Sequence, residues 1–481
     1  MTAASTSRRP GPEPPAAARF PPASWPGIAV DRDLIRKYDG PGPRYTSYPT
    51  APNFKELEAA DYERLLATSA RGGRRLSLYV HLPFCRTLCF YCGCNVTVSR
   101  DPKRGRVYLD LVKREIADAA ALLAGDLRET VQIHLGGGTP NFFPPAMLGE
   151  LLACFTRHFR LHPRCEIGVE VDPRTMTPAH LDAFAEAGVN RLSAGLQDLE
   201  PRVQEAINRV QSAEVTRAVV DGAHARGIES VNLDLIYGLP HQTPASFERT
   251  LDAAIAMAPE RFAVFNFAYL PEVLRHQRVI DSDALPSPEE KLTILEATYE
   301  KLAAAGYVMI GMDHFARPED PLARALLDRS LTRNFQGYST WGETDLVGFG
   351  ASAIGLVGGG YAQNVKTVAE YQERIAADRF ATCRGLVLTP EDELRRDVIL
   401  ELMCHLHLDY AELGRRHGVD FGRHFAAELA SLAPLGADGL VELGPGTLDV
   451  TPAGRLLVRN VAMVFDEYLA RNREVKFSRT V

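Results

Sequence analysis

Six short apolar runs alternate with helical patterns between residues 76 and 267, and this alternation limits the possible folds more than any other feature of the chain. The stretches between the runs, such as Val107–Leu123, Ala179–Ala187 and Glu214–Arg226, repeat apolar residues at helical spacing. Repeated strand–helix units predict a parallel sheet. Six units rather than eight predict an α/β fold built on a partial (β/α)6 barrel, about three quarters of a closed one. The predicted strands are Leu76–His81, Val131–Leu135, Glu166–Val171, Arg191–Leu196, Ser230–Leu235 and Phe262–Phe267.

Polar and glycine residues gather where these predicted strands end. A Gly136–Thr139 turn follows the second strand, Glu170 and Asp172 end the third, and a run of cysteines follows the first. Functional groups of such barrels lie at the carboxyl ends of the strands. The pattern therefore predicts one site at one mouth of the barrel, and the further strand-end residues are Gln197, Asp198, Asp234 and Asn266.

The cysteine run after the first strand places Cys85, Cys89 and Cys92 at C-x3-C-x2-C spacing, with Cys94 two residues further on. Iron–sulfur clusters are normally held by four thiolates, so three ligands would leave one iron open to a small molecule. A structural zinc site is the alternative, but it favours paired Cys units that are well separated in sequence, and no second pair follows here. Cys94 is surplus to a three-ligand cluster, and we expect it to be a non-ligand near it.

Composition limits the class of protein. The chain has 481 residues, a formal net charge of −7 and 46% hydrophobic residues, which fits an enzyme with a large core and argues against nucleic acid as the main partner. No stretch approaches 18 uninterrupted apolar residues, so no membrane span is expected. Thiols scattered through apolar contexts favour a reducing, cytoplasmic location. These thiols are Cys154, Cys165, Cys383 and Cys404.

The order of patterns predicts four segments: a disordered extension over 1–30, an N-terminal substrate or lid element over 31–75, the catalytic barrel over 76–365, and a smaller, mostly helical C-terminal domain with a β-hairpin over 366–481. The glycines between 337 and 360 predict loops and close backbone approach. The later predicted elements are helices Pro288–Ala305, Glu391–His405 and Pro452–Arg471 and the paired strands Gly439–Leu443 and Leu448–Thr451.

The cysteine run resembles the cluster motif of the radical S-adenosylmethionine (radical SAM) enzymes, and the glycine turn is similar to their second conserved element. Longer motifs, in the same order along the chain, resemble the oxygen-independent coproporphyrinogen III oxidase family. The similarity runs from about residue 30 to the C-terminus. The motifs are Lys37–Thr50, Tyr79–Cys85, Asn232–Pro240, Gly311–Pro318, Asn334–Tyr338 and Phe477–Arg479.

This resemblance implies the cofactors and their ligands. It implies a [4Fe–4S] cluster on Cys85, Cys89 and Cys92, two molecules of S-adenosylmethionine, and catalytic roles for Tyr79, Glu170 and Gln336. The cluster-bound S-adenosylmethionine would contact Tyr79, Gly137, Glu170, Ala268 and Ile354. The second would contact Tyr91, Gly138, Thr139, Gln197, Arg209 and Asp234. Two positions depart from the family pattern, Leu135 in place of Trp and Tyr269 in place of His, and both are expected to flank the pocket.

The implied reaction is the conversion of coproporphyrinogen III to protoporphyrinogen IX, in which two propionates become vinyl groups. It implies a low-potential electron donor such as flavodoxin or ferredoxin, and a monomer. The alternative is the sibling haem chaperone, whose members typically lack the fourth cysteine and the Arg44–Pro49 element, both of which this chain has. A substrate with four carboxylates needs cationic anchors. Arg44 and Arg333 are candidates because arginine pairs bidentately with carboxylates.

Overall fold

The computed structural model describes residues 30–471 and 477–480, so all but the last residue of the predicted extension 1–30 lies outside the described residues. Six parallel strands form the centre of the fold in sequence order. They are β1 (Arg75–Leu82), β2 (Glu129–Gly137), β3 (Arg160–Val171), β4 (Arg191–Gln197), β5 (Ser230–Tyr237) and β6 (Arg261–Asn266).

Each of these strands is followed by a helix, as the alternation predicts. Five of the six main helices begin with proline, whose fixed φ suits the first helical position. These helices are α1 (Pro102–Leu123), α2 (Pro145–His158), α3 (Pro178–Glu186), α4 (Ala213–His224), α5 (Pro244–Ile255) and α6 (Pro288–Ala304), and Pro201–Ala206 is a short additional helix before α4.

The central sheet continues beyond the barrel at both edges. Thr344–Phe349 pairs in parallel with β1, and the antiparallel strands Ile354–Val357, Gly360–Asn364, Thr382–Val387 and Lys55–Glu56 follow it outward. His314–Ala316 and Val308–Gly311 extend the β6 edge, so the sheet has 13 strands. The prediction of loops for residues 337–360 is therefore wrong over 337–339, 344–349 and 354–357 and at Gly360.

Close backbone approach explains why glycines occur within these strands. A Cβ at Gly348 would lie 2.8 Å from the Ile354 carbonyl oxygen, nearer than side-chain carbons come to backbone. Gly348 therefore allows the backbone of the neighbouring strand to come close, and it does not form a turn.

The N-terminal segment connects the two parts of the molecule. Helix Ala59–Gly72 packs on α1 and on the sheet, whereas Tyr45 and Tyr48 are buried in the core of the C-terminal part. Helix Arg32–Tyr38 precedes them. The remaining elements outside the C-terminal part are helices Pro321–Leu327 and Val368–Ala377, the hairpin Thr332–Asn334 with Gly337–Ser339, and the short parallel pair Phe84–Cys85 with Thr97–Val98.

The C-terminal part has its own apolar core, in which Leu394, Val398 and Phe425 are almost fully buried. The predicted hairpin is confirmed as Val441–Leu443 with Thr447–Val450, and His407–Asp409 adds a third strand. The helices are Pro390–His405, Tyr410–His417, Phe421–His424, Ala426–Ser431, Ala433–Ala437, Val458–Met463 and Glu467–Arg471.

The single helix predicted over Pro452–Arg471 is wrong, because this stretch is broken. A 3-10 turn at Arg455–Leu457 precedes Val458–Met463, and the chain restarts as a helix at Glu467. Asp466 causes the restart, since its carboxylate accepts hydrogen bonds from the Tyr468 and Leu469 amides, as a helix cap does.

We propose a domain boundary near residue 389 rather than at the expected residue 365. Helix Val368–Ala377 and strand Thr382–Val387 belong to the barrel side, where Tyr371 and Phe380 join the large core. Within the described residues, no helix is both long and apolar enough to cross a membrane.

Candidate active site

One cavity of about 1090 Å³ opens at the carboxyl ends of the six strands. It is lined by the cysteine loop after β1, the glycine turn after β2 and residues at the ends of β3 to β6. The predicted residues that line it are Cys85, Cys89, Tyr91, Cys92, Gly137, Gly138, Thr139, Glu170, Gln197, Arg209, Asp234 and Ala268. The structure therefore brings most of the predicted site residues around one space.

Hydrogen bonds to several other loops of the barrel fix the position of the cysteine loop. The Phe90 amide donates to the Ile207 carbonyl at 2.9 Å, and the Asn208 amide group donates to the Leu88 carbonyl at 2.8 Å. On the other side, the Gln277 amide group donates to the Tyr91 carbonyl at 3.2 Å. These bonds fix the loop across the barrel mouth, so that its thiols face the cavity.

The four thiols of the loop have different surroundings. Cys89 is buried, Cys85 and Cys92 are half-buried, and Cys94 is exposed. Burial raises the pKa of Cys85 to about 11. Interaction with Cys94 lowers the pKa of Cys92 to about 7 and raises the pKa of Cys94. Cys94 therefore differs from Cys92 both in its greater exposure and in holding its proton more tightly.

Two arginines lie against the Cys89 sulfur. Arg174 Nη2 is 3.6 Å from Cys89 Sγ and Arg209 Nη1 is 3.7 Å from it. Both guanidinium groups pair with Asp172, at 2.6 Å for Arg174 and 3.4 Å for Arg209. The Asp172 carboxylate therefore orients two cations toward a single sulfur.

The glycine turn allows Glu170 to enter the site. The Glu170 carboxylate accepts hydrogen bonds from the Gly137 amide and from His134 Nε2, each at 3.1 Å. Gly137 has φ +114°, and a Cβ at Gly136 would lie 2.9 Å from this carboxylate. Burial alone would raise the pKa of Glu170, but the hydrogen bonds outweigh it and hold the pKa below its usual value.

A second polar group lies at the ends of β4 and β5. The Asp234 carboxylate accepts hydrogen bonds from the Ser193 hydroxyl at 3.0 Å and the Asn232 amide at 2.7 Å. Burial, followed by the charge of Glu170, raises the pKa of Asp234 to about 7. Gln197 Oε1 and Arg209 Nε are buried without a hydrogen-bond partner among the described residues, and both side chains line the cavity. Such atoms indicate room for a polar ligand.

Three of the residues predicted for cofactor binding or catalysis do not line this cavity: Tyr79, Ile354 and Gln336. The strand-end residue Asp198 and the candidate anchor Arg333 are also outside its lining. Tyr79 stands behind Glu170, because its ring stacks on His134 at 6.0 Å between centroids and its hydroxyl is 3.0 Å from His81 Nδ1. Ile354 lies two strands away from Tyr79, because strand Thr344–Phe349 runs between them and places Gly348 in register with Tyr79. Gln336 lies in the turn of the 332–339 hairpin.

The two departures from the family pattern are also outside the residues that line the cavity. Leu135 is fully buried in the sheet between Val80 and Val169. Tyr269 packs against Phe267, with ring centroids 6.0 Å apart. Tyr269 therefore lies behind a residue that lines the cavity, and the expected effect of both departures on the shape of the pocket stays a prediction.

Two residues of the site, His134 and Arg174, are absent from the predicted set. His134 alternates with Gln132 and Gly136 along β2, so strand periodicity could have placed it on the inner face. Arg174 follows Asp172 by two residues, and only the folded loop brings it to Cys89. No sequence pattern indicates that contact.

The donors present fit an iron–sulfur cluster. Three free thiols lie on one loop beside the cavity, and arginine N–H groups face one of the sulfurs. Among the described residues, no three His, Cys, Asp or Glu side chains are placed to hold a single metal ion. Thiolates of a cubane bind different irons, and so they need not converge on one point.

Comparison with known proteins gives the family. The radical SAM superfamily matches residues 79–254, and the HemN C-terminal domain matches residues 388–457. The oxygen-independent coproporphyrinogen III oxidase of Pseudomonas aeruginosa is 46% identical over 459 residues, which cover 94% of this chain and 99% of the relative. The Escherichia coli enzyme of the same name is 45% identical over 455 residues, with the same two coverages.

This chain belongs to the oxygen-independent coproporphyrinogen III oxidase family. A solved structure supports the assignment, that of Escherichia coli coproporphyrinogen III oxidase (HemN), described as a radical SAM enzyme. It has a TM-score of 0.88 and 44% identity, and covers 92% of this chain and 100% of its own. The predicted radical SAM barrel is confirmed, and the family's cofactors are a [4Fe–4S] cluster and S-adenosylmethionine. The haem chaperone is not favoured by these relatives.

Proposed function

We propose that this chain catalyses the oxygen-independent oxidative decarboxylation of coproporphyrinogen III to protoporphyrinogen IX, a step of haem and porphyrin biosynthesis. The propionates on rings A and B become vinyl groups. Two observations together support the proposal. The chain is about 45% identical to enzymes of this name over nearly its whole length, and one cavity is lined by the thiols, the glycine turn and Glu170.

The substrate chemistry explains why such a site is needed. The β-carbon of a propionate carries a strong C–H bond that acid–base groups cannot break near neutral pH. When bound, the reduced cluster and S-adenosylmethionine supply a 5′-deoxyadenosyl radical, which abstracts that hydrogen. The substrate radical then loses carbon dioxide and passes one electron to an acceptor, which leaves the vinyl group.

The protein's own residues bind and orient the reactants. Cys85, Cys89 and Cys92 would hold the cluster through thiolates on one rigid loop. Gly137, Gly138 and Thr139 of the glycine turn line the cavity, and their amides already donate to Glu170, Leu82 and Phe84. The turn would let the backbone come close to the amino acid end of S-adenosylmethionine, while Glu170 would accept hydrogen bonds from its ribose hydroxyls. The His134 hydrogen bond fixes the Glu170 carboxylate in the position required for that role.

The residues predicted for a second S-adenosylmethionine are also beside the cavity. Gln197 and Arg209 carry buried polar atoms that lack partners among the described residues, and Asp234 is held by Ser193 and Asn232. A sulfonium cofactor with an amino acid end and a ribose could use such mixed donors and acceptors. Roles for Tyr79, Ile354 and Gln336 stay predictions, as do a flavodoxin or ferredoxin donor, a monomeric state and a cytoplasmic location.

Anaerobic turnover tests the proposal. The purified protein, with its cluster reconstituted, is incubated with coproporphyrinogen III, a reductant and S-adenosylmethionine, and the porphyrins are separated after oxidation. We expect protoporphyrin to accumulate together with 5′-deoxyadenosine. A protein that binds haem and leaves coproporphyrinogen unchanged would instead be the chaperone, and the proposal would be wrong.

A further inference from the structure

A group of arginines lies at the β6 end of the cavity, away from the β1 loop that carries the cysteines. We call Arg44, Arg333 and Arg459 the arginine cluster. Arg44 lines the cavity, and its guanidinium carbon is 5.7 Å from the centre of the Phe265 ring near the end of β6. The cysteine loop and Arg44 therefore adjoin the first and last strands of the six-stranded barrel.

Among the described residues, one carboxylate pairs with one of the three guanidinium groups of this cluster. Arg44 pairs with Asp313. Arg333 is 5% exposed, stacks on Tyr338 at 4.6 Å and donates to the Arg44 carbonyl oxygen at 3.3 Å. Its Nε and Nη1 atoms are buried without a hydrogen-bond partner among the described residues.

Arg459 is buried in the same region and binds only carbonyl oxygens, including that of Gly42 at 3.4 Å and that of Arg479 at 2.9 Å. Within residues 30–471 and 477–480, neither Arg333 nor Arg459 forms an ion pair with a carboxylate. Asp39, the other nearby acid, pairs with the exposed Arg479. A buried charge without a counter-charge is costly unless a ligand supplies one.

The electrostatic effect is largest at the residue that faces the cavity. Burial, followed by the positive charges of Arg459 and Arg333, lowers the pKa of Arg44 to about 9. An anion bound at Arg44 would relieve this repulsion. The Arg44 side chain is 33% exposed, so its guanidinium can reach such an anion.

The wall next to Arg44 is apolar and aromatic. Phe265, Phe267, Ile236 and Leu270 line the cavity, and the first three belong to an apolar cluster that also contains Phe90 and Tyr91 of the cysteine loop. A cation beside an extended apolar wall suits a ligand that combines a carboxylate with a large flat hydrophobic body. A tetrapyrrole with propionate side chains has this chemistry.

We propose that Arg44, backed by Arg333 and Arg459, binds a carboxylate of the tetrapyrrole substrate and so holds one propionate at the β6 end while another lies near the cysteine loop. This inference rests on the proposed function. The methionyl carboxylate of S-adenosylmethionine offers the same chemistry, and the experiment separates the two sources.

The test uses the anaerobically reconstituted holoenzyme and coproporphyrin III, the oxidised form of the substrate, which keeps its four propionates. Binding is followed by porphyrin fluorescence for the wild type, Arg44→Met and Arg44→Lys. Arg106→Met is the matched control, because Arg106 is an exposed arginine on α1 that pairs with Glu150. S-adenosylmethionine binding is measured in parallel by equilibrium dialysis.

We expect Arg44→Met to weaken porphyrin binding by about tenfold or more, since it removes a charge-assisted hydrogen bond. Arg44→Lys should fall between Arg44→Met and the wild type, because lysine keeps the charge without the planar fork. The same porphyrin with its propionates converted to neutral amides should bind equally to the wild type and to Arg44→Met. S-adenosylmethionine affinity and iron content should stay unchanged.

Unchanged porphyrin binding by an Arg44→Met protein that retains its iron would overturn the inference and leave the proposed function intact. A loss of S-adenosylmethionine affinity with normal porphyrin binding would assign the site to the methionyl carboxylate and also overturn it. A wild-type protein that neither binds coproporphyrin nor converts coproporphyrinogen would instead refute the proposed function. If Arg44→Met fails to fold, Arg44→Lys decides, and wild-type affinity for it counts against the inference.

Discussion

Exposure separates Cys94 from the other three thiols of the cysteine loop. Cys94 is exposed, whereas Cys89 is buried and Cys85 and Cys92 are half-buried. We therefore expect Cys94→Ser to retain its iron, because a cluster with one open iron needs only three thiolates. Cys85→Ser, Cys89→Ser and Cys92→Ser should each lose most of it, since hydroxyls replace thiolate ligands poorly. Iron and sulfide assays after anaerobic reconstitution measure this, and a Cys94→Ser protein without iron would make Cys94 a ligand.

Arg174 is placed to influence the reduction potential of the cluster. Its N–H group points at Cys89 Sγ, and hydrogen bonds and positive charge near cluster sulfurs stabilise the more negative, reduced form. Arg174→Gln should therefore shift the midpoint potential of the cluster to a more negative value. Arg86→Gln is the control, because it removes the same charge from an exposed position in the same loop. A redox titration followed by electron paramagnetic resonance decides, and equal shifts in both variants would exclude a specific role for the hydrogen bond.

Asp234 links the site to the pH dependence of stability. The pKa of Asp234 is about 7 in the folded protein, against about 3.9 for an unfolded Asp. Between pH 4 and pH 7, roughly, the folded state therefore binds more protons at this residue than the unfolded state does. The contribution of Asp234 to the free energy of unfolding of the protein therefore falls as the pH rises from about 4 to 7. Asp234→Asn should gain stability over the wild type between pH 5 and pH 8. Each unit of pKa shift is worth about 1.4 kcal/mol.

Urea unfolding of the cofactor-free protein at pH 5, 6, 7 and 8 measures this difference. Asp182→Asn is the control, because Asp182 is an exposed partner of Arg226 on the outer surface. If the difference in free energy of unfolding between Asp234→Asn and the wild type does not change from pH 5 to pH 8, Asp234 is already ionised at pH 5 in the folded protein and the prediction is wrong.

At the scale of elements, one buried ion pair ties the N-terminal helix to the sheet. Arg128 Nη2 lies 2.9 Å from Asp345 Oδ2, both side chains are 6% exposed, and Ser69 of helix Ala59–Gly72 bonds to both. Asp345→Ala should destabilise the protein by about 3–5 kcal/mol, because Arg128 is left buried and unpaired. Thermal and urea unfolding measure the change.

Two variants make this prediction specific. Asp61→Ala removes an exposed partner of Arg64 and should cost no more than about 1 kcal/mol. The double variant Arg128→Met/Asp345→Leu should recover much of the loss, since apolar residues can replace a buried ion pair. A loss in the double variant equal to that of Asp345→Ala would mean that packing, not the unpaired charge, determines the effect.

The barrel strands could be predicted because both of their faces are buried. The strand predicted at Leu76–His81 is Arg75–Leu82 in the structure, and an almost continuous apolar run marks it. The strands at 344–349 and 354–357 escaped prediction since glycine also marks turns. Here Gly348 allows a neighbouring backbone to approach, and only the pairing of distant segments shows that.

The site was predictable where its residues lie at strand ends. Glu170 and Asp234 follow from strand periodicity together with the rule that such barrels bind at their carboxyl ends. Contacts between different loops, such as that of Arg174 with Cys89, depend on tertiary packing and leave no local pattern. The charge of the expected substrate makes Arg44 and Arg333 candidates, but no local pattern places them beside Arg459, because the three residues come from the N-terminal segment, the 332–339 hairpin and the C-terminal part.

At the scale of the whole molecule, these three parts meet at the backbone of Gly42 and Arg44, to which Arg459 and Arg333 donate hydrogen bonds. Tyr45 and Tyr48 anchor the N-terminal segment in the C-terminal core, while Arg44 between the same two parts faces the cavity. The C-terminal part therefore helps to position a residue of the active site. This arrangement places Arg44 and the cysteine loop in the lining of the same cavity.

That single cavity must serve two decarboxylations, and the final prediction concerns their cofactor consumption. Each vinyl group requires one hydrogen abstraction from a propionate, so we expect two molecules of S-adenosylmethionine to be consumed per protoporphyrinogen formed. Counting 5′-deoxyadenosine against vinyl groups under anaerobic conditions measures the ratio, with an incubation lacking coproporphyrinogen to subtract uncoupled cleavage. A ratio well below one per vinyl group would mean that the cofactor is recycled within the site.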